Sequence, residues 1–201
     1  MVFHDVSAKR AHTQKLARLT EHDALTGLPN IALLGDRLSQ AIALTERHGN
    51  QLAVLFIDID RFKSVNDSLG HLCGDRLLQS VAQRLLSCVR STDTVCRRSG
   101  DEFVVLLSEI MHAEDASICA NKIIAALAEP HTIGNRKIKI TVSIGIAICP
   151  EDGVNSKALL SNADSAMYCA KDSGRSNYQF FQPDLNGTYL KAVIPAKAVM
   201  Q

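Results

Sequence analysis

Leu52-Ala53-Val54-Leu55-Phe56-Ile57 is the most restrictive stretch of this 201-residue chain. An unbroken apolar run of this length, bounded by polar residues, reads as a central strand covered on both faces. A strand of that kind requires a sheet with packed layers against it. The run leads into Asp58 and Asp60. The two-residue strand period would point both carboxylates to one face if the strand continued that far.

A second acidic segment stands about 40 residues later, Arg98-Ser99-Gly100-Asp101-Glu102-Phe103-Val104-Val105-Leu106-Leu107. Turn residues followed by an apolar run form the pattern of a tight β-hairpin. The charges of Asp101 and Glu102 repel, and nothing within the segment is expected to neutralise them unless a cation sits there. The expectation is that this tip and the end of the earlier strand lie side by side and share divalent metal. The competing accounts are a solvated hairpin tip and a polar strand boundary.

The remaining periodicities supply the frame. Ser7 can cap a helix over 8–22, and Asn30, closing the turn Thr26-Gly27-Leu28-Pro29-Asn30, can cap another over 31–48 with Leu33, Leu34, Leu38, Ile42 and Leu44 on its core stripe. Residues 61–74 read as a short helix and loop. A strong helical pattern follows over 75–90 (Leu77, Leu78, Val81, Leu85, Leu86). The hairpin pairs 94–97 with 102–107, and a further amphipathic helix covers 114–128 (Ile118, Ile123, Ile124, Leu127). Residues 138–148 read as one long strand, 157–172 as the last helix and 178–181 as the last strand. Within this order lies β-α-β-β-α-β, a ferredoxin-like α+β arrangement with extra helices and strands. It brings the end of the first strand beside the hairpin, placing Asp58 near Asp101.

Composition narrows the partners. With 22 basic and 21 acidic side chains the net charge is +1, which gives no electrostatic basis for a nucleic-acid partner. Cys73, Cys88, Cys96, Cys119, Cys149 and Cys169 show no CxxC pair and no metal-ligand spacing, so buried thiols in a reduced, cytoplasmic compartment are expected. No apolar run approaches the ~20 residues of a membrane span. Tethering through segments outside this chain stays open.

Hard cations such as Mg²⁺ take oxygen ligands, commonly one or two carboxylates plus substrate phosphates. At this point the residues resemble the GGDEF family of diguanylate cyclases. The likeness runs from Asp23-Ala24-Leu25-Thr26-Gly27-Leu28-Pro29-Asn30 through Asp58-Ile59-Asp60-Arg61-Phe62-Lys63-Ser64-Val65-Asn66-Asp67 and Gly70-His71-x-x-Gly74-Asp75 to Ser99-Gly100-Asp101-Glu102-Phe103. It continues in Val142-Ser143-Ile144-Gly145-Ile146-Ala147 and Ala163-Asp164-x-Ala166-Met167-Tyr168-x-Ala170-Lys171-x-x-Gly174-Arg175. The resemblance implies a nucleotidyl-cyclase or polymerase-palm-like antiparallel central sheet. It also implies Mg²⁺- or Mn²⁺-dependent condensation of two GTP into cyclic di-GMP with release of pyrophosphate, in a two-fold, head-to-tail homodimer. By that likeness Asp58, the Ile59 carbonyl and Asp101 hold metal, while Asp101 accepts the proton, Glu102 adds an acidic group and Lys63 assists catalysis. Asn66, His71 and Asp75 contact the substrate, with Asn66 and Asp75 reading guanine. Lys63, Lys171 and Arg175 neutralise phosphate. Phe62 belongs to the same motif, with packing its favoured role. Arg90-Ser91-Thr92-Asp93 matches the family's RxxD product-inhibition site.

The chain departs from the family pattern twice. Ser99 replaces the first glycine of the signature; if that position needs φ > 0, serine adds ~1–2 kcal/mol of strain. Ile31 stands where the family has a basic residue, which would remove an ion pair, with Asp23 the candidate partner. The expected domain plan is residues 1–22 as the end of a PAS-like domain and signalling helix, 23–182 as the GGDEF domain and 183–201 as a tail. Phe180-Phe181-x-Pro183-Asp184-x-Asn186 resembles a junction to an EAL domain. A weak or inactive module that binds GTP or cyclic di-GMP is the alternative function.

Overall fold

A computed structural model describes residues 21–183. Of the expected upstream region 1–22 only residues 21 and 22 are described, and of the expected tail 183–201 only residue 183, so the helix expected over 8–22 and the end of the EAL-like junction lie outside the described residues. In chain order the elements are α1 (Ile31–His48), β1 (Gln51–Ile59), α2 (Phe62–Leu69), α3 (His71–Cys88), β2 (Thr94–Ser99), β3 (Glu102–Ile110), α4 (Ala113–Ala128), β4 (His131–Ile133), β5 (Arg136–Ile138), β6 (Val142–Cys149), α5 (Ser156–Asp172) and β7 (Tyr178–Phe180). Five strands form one sheet in the order β2-β3-β1-β6-β7. All its pairings are antiparallel except β6 with β7. The fold is α+β, and the order β6-β1-β3-β2 is that of a ferredoxin-like core.

The apolar run is central, as its composition requires. Ala53, Leu55, Ile57 and Ile59 face one way, joining Phe103, Val105, Ile144 and Ile146 beneath Leu77, Val81 and Leu85 of α3 and Ala116, Ala120 and Ile123 of α4. Leu52, Val54 and Phe56 face the other way, against Leu34, Leu38 and Ile42 of α1 and Leu159, Ala163, Ala166 and Met167 of α5. Each fully buried large apolar side chain contributes roughly 1.5–3 kcal/mol. The sheet is therefore held from both sides. On the second face Gly145 of β6 touches α5, and a Cβ there would overlap the Ala163 carbonyl oxygen and the Met167 nitrogen.

Several expectations need correction. The buried stripe of α1 is Leu34, Leu38, Ile42 and Thr45, whereas Leu44 is 45% exposed because it sits rotated off that face. Leu86 and Ile118 are likewise exposed. The helix expected from residue 75 starts at His71, separated from α2 only by Gly70 with φ 83°. The single strand expected over 138–148 is two, since β5 ends at Ile138 and pairs with β4 in a separate ribbon. No disulfide joins the described cysteines; Cys88, Cys96, Cys149 and Cys169 are buried, and burial pushes the Cys96 thiol up to about 12. Among the described residues no helix is long and apolar enough to cross a membrane.

Candidate functional site

The antiparallel register of β1 and β3 sets Asp58 opposite Glu102, and the Ile59 N–H reaches the Asp101 carbonyl at 3.4 Å. The two acidic segments therefore meet at one end of the sheet. The turn between β2 and β3 places its positive φ at Gly100 (51°), while Ser99 lies within β2 and has no such conformation. The strain expected at Ser99 is absent for that reason. Its hydroxyl instead donates to Glu102 Oε2 at 3.0 Å.

The expectation that nothing in the segment neutralises the acids is also corrected. Arg98 Nη1 meets the same Glu102 oxygen at 3.0 Å, and its guanidinium lies 5.2 Å from the centroid of the Phe56 ring. Arg97 holds the turn through Gly100 O (2.8 and 3.0 Å) and grips both Asp23 oxygens at 3.0 and 3.1 Å. Asp23 thus has a cationic partner despite Ile31, supplied from a neighbouring strand rather than from the helix.

Asp58 remains electrostatically costly. It is 8% exposed and paired with Lys171 Nζ at 2.8 Å. Burial is the largest influence on its carboxyl and outweighs the lysine's hydrogen bond and charge. Asp101 and Glu102 push the same way as burial, and the result is about 6. Burial also raises the carboxyl of Asp101, with Glu102 adding to it and Lys171 opposing. Asp164 of α5 is raised by burial and by Glu102 against the pull of Arg98 and Lys171. Crowded carboxylates that resist ionisation are a place where added positive charge is favoured.

Asp58, Asp101 and the Ile59 carbonyl provide hard oxygen donors, and the Lys171 ammonium already stands beside Asp58 where a cation is stabilised. This donor set fits Mg²⁺ or Mn²⁺ completed by substrate phosphates. Among the described residues no group of three or more His, Cys, Asp or Glu side chains is arranged to hold a metal by itself.

Asp60 differs although it is equally buried. Thr141 and Ser143 hydroxyls donate to its oxygens at 2.6 and 2.7 Å, the Ser176 N–H donates at 3.2 Å, and Arg175 Nε lies 4.0 Å away. Immediately after it, α2 begins without a side-chain cap at Arg61. An uncapped helix start presents N–H groups suited to phosphate.

The proposed nucleotide-reading residues occupy the α2–α3 wedge. Asn66 Oδ1 is buried without a hydrogen-bond partner, and a Cβ on Gly74 would collide with it. That carbonyl is an acceptor awaiting a donor. His71 and Asp75 are exposed on the first turns of α3, Lys63 is exposed on α2, and Phe62 is buried in the core. Phe62 therefore packs.

Arg90 and Asp93 lie away from the acids, in a cleft of about 310 Å³ shared with Asp115, Ile118, Cys119 and Lys122. Asp93 is already engaged, accepting from the Arg90 N–H at 2.9 Å and the Ser108 N–H at 3.2 Å. The Arg90 guanidinium is exposed. Sequence reasoning missed Arg98 and Asp164 as members of the charge cluster. A signal existed for the latter, since Asp164 and Lys171 stand about two helical turns apart on one face.

The family model described as "Diguanylate cyclase, GGDEF domain" matches residues 20–177. The chain is 47% identical over 173 residues to the bifunctional diguanylate cyclase/cyclic di-GMP phosphodiesterase MucR of Pseudomonas aeruginosa, covering 86% of this chain and 25% of MucR. It spans about a quarter of the length of the curated relatives it matches first. The solved GGDEF domain of TpbB (YfiN) from P. aeruginosa superposes with a TM-score of 0.82 at 41% identity, covering 84% of this chain and 99% of that one. A coiled-coil and GGDEF structure of DgcB from Caulobacter crescentus, solved with cyclic di-GMP, gives 0.79 at 26% identity, covering 88% and 93%.

Proposed function

The chain belongs to the GGDEF diguanylate cyclase family, and from that premise we propose that it condenses two GTP into cyclic di-GMP with release of pyrophosphate. The observation that carries this reading is the convergence of Asp58, Asp101 and Glu102 on one strand end, beside Lys171. A divalent ion held by Asp58, the Ile59 carbonyl and Asp101 would supply charge neutralisation to the triphosphate. Asn66 and Asp75 read the guanine, with His71 beside them, and the uncapped start of α2 with Lys63, Lys171 and Arg175 holds phosphate.

The 3′-oxygen of each nucleotide attacks the α-phosphorus of the other, in two transfers. The new P–O bond forms as the bond to the β-phosphate bridging oxygen breaks, and pyrophosphate leaves. Asp101 takes the hydroxyl proton, a role that suits a carboxyl raised by burial. Arg98 and Ser99 both hold Glu102 Oε2, which leaves its second oxygen outside these contacts. Positioning and charge stabilisation supply most of the acceleration in such transfers.

One subunit holds one GTP, so the reaction runs in a two-fold homodimer. The Arg90 guanidinium and the Asp93 loop bind cyclic di-GMP and lower turnover as product accumulates. The domain acts in the cytoplasm within a longer signalling protein that carries PAS and EAL neighbours.

The test is pyrophosphate release from purified protein with GTP and Mg²⁺ over a range of protein concentrations. Turnover should rise faster than linearly with protein in the dilute range and vanish in Asp101→Ala. Absence of turnover at every concentration, or full activity in that variant, overturns the reading.

A further inference from the structure

One cleft shares Arg175 and the start of α2 with the phosphate holders assigned above, and the rest of its lining has no role there. About 590 Å³ opens on the far flank of α2 from Asn66, lined by Asp60, Arg61, Ser64, Ser68, Lys139, Thr141, Arg175 and neighbouring apolar residues. That volume is in the range of small-molecule sites. Three cationic side chains line it against one carboxylate. That carboxylate, Asp60, is buried and satisfied by two hydroxyls and a backbone N–H. Arg175 lies 4.0 Å from Asp60, while Arg61 and Lys139 stand at the cleft without an ion-pair partner among the described residues.

The backbone around it is constrained as well. Four described non-glycine residues have positive φ, and three of them, Arg61 (58°), Arg175 (64°) and Ser176 (53°), line this cleft. Such conformations persist where surrounding structure enforces them, and they cluster at ligand sites. Here Asp60 enforces one of them directly, through its hydrogen bond from the Ser176 N–H. Ser64 and Ser68 stand one turn apart on α2 and add two hydroxyl donors along the same wall.

We propose that this cleft binds a diphosphate anion and receives the pyrophosphate released at the neighbouring acidic site. The identity of the ligand rests on the cyclase reading; the anion site itself does not. The connection is α5 and the turn after it. Lys171 points to Asp58, and four residues on Arg175 lies beside Asp60 at the mouth of the cleft. A leaving anion is repelled by Asp58, Asp101 and Glu102 and attracted toward Arg175, Lys139 and Arg61. The cleft therefore separates the leaving group from the carboxylates of the acidic site.

Inorganic pyrophosphate titrated into the nucleotide-free full chain tests this, followed by amide NMR shifts. Shifts are expected at Arg61–Ser68, Lys139–Thr141 and Gly174–Ser176. Lys139→Glu and Ser68→Asp should each weaken pyrophosphate about tenfold, the scale of one charge-assisted contact. GTP affinity in both variants should stay within about twofold of the parent protein. Both changes are at exposed positions, and circular dichroism checks that the fold survives. Shifts confined to Asp58, Asp101 and Lys171, or unchanged pyrophosphate affinity in both variants, overturn the proposal. If GTP is not turned over yet pyrophosphate still shifts the cleft residues, the cyclase reading falls and the anion site stands.

Discussion

Asp58 and Asp60 leave the same strand two residues apart and are buried to nearly the same degree, 8% and 7% exposed. Their surroundings are opposite in kind. Asp60 sits among fixed donors from β6, the loop before it and the turn after α5. Asp58 has one flexible lysine and two other acids. The difference teaches that burial alone does not mark a functional carboxylate. What marks it is burial without enough donors to make the charge comfortable.

The largest effect expected from this contrast is on turnover. Asp58→Asn should lower it by about a thousandfold or more, the scale of losing a principal electrostatic group. Asp60→Ala should keep turnover within about tenfold per folded molecule. Equal losses in the two variants, at equal folded fraction, would break the comparison.

Stability should move in the reverse direction. Removing Asp60 strands the Ser143 hydroxyl and the Ser176 N–H, and should destabilise by about 2–4 kcal/mol in urea unfolding. For Asp58 the folded carboxyl lies near 6 against an ordinary value of 3.8, a difference of about 6 − 3.8 = 2.2 units. At ~1.36 kcal/mol per unit this bounds the strain at about 3 kcal/mol. The folded state binds that proton more tightly than the unfolded chain does. Asp58 therefore favours folding as pH falls from 6 toward 4 and opposes it above 6. Metal-free Asp58→Asn should accordingly be about 1–3 kcal/mol more stable than the parent at pH 7.5, with the gap closing near pH 4. A destabilised variant at pH 7.5 would show Asp58 to be as well satisfied as Asp60.

A smaller shift is expected on adding Mg²⁺ and GTP together. Saturation at about a hundred times the dissociation constant stabilises by ~2.7 kcal/mol. The melting temperature should rise in the parent protein and in Asp60→Ala, and much less in Asp58→Asn. An equal rise in Asp58→Asn would move the metal away from β1. The smallest effect is at the hairpin. Ser99→Gly removes one of two contacts to Glu102 Oε2 and should change turnover by about threefold at most, with Arg98 retaining the carboxylate. A hundredfold loss would make Ser99 an indispensable holder of Glu102.

Much of this is legible in the sequence. The six-residue apolar run at 52–57 fixed the central strand, and Asn30 with the spacing of Leu34, Leu38 and Ile42 fixed α1 at 31–48. The three-residue strands β4 and β5 were not legible, because His131-Thr132-Ile133 and Arg136-Lys137-Ile138 are too short to show a period. Leu44, Leu86 and Ile118 were misplaced because periodicity counts apolar residues without knowing how wide the buried stripe is. At the site, the acids could be found from their positions after apolar runs. The pairing of Arg97 with Asp23 could not, since it joins residues 74 apart in sequence. Repulsion between the acids is legible in the sequence, whereas the reach of Arg98 to Glu102 depends on the turn that sets them on one face.

The contact of Gly145 with α5 has a mechanical corollary. Main-chain atoms of Ala163 and Met167 rest directly on a strand, so no side chain acts as a spacer that could be shortened or lengthened by mutation. The height of Lys171 above Asp58 is consequently set like a machined stop. Exchanges among the surrounding core residues can loosen the whole domain while leaving that gap at its original setting.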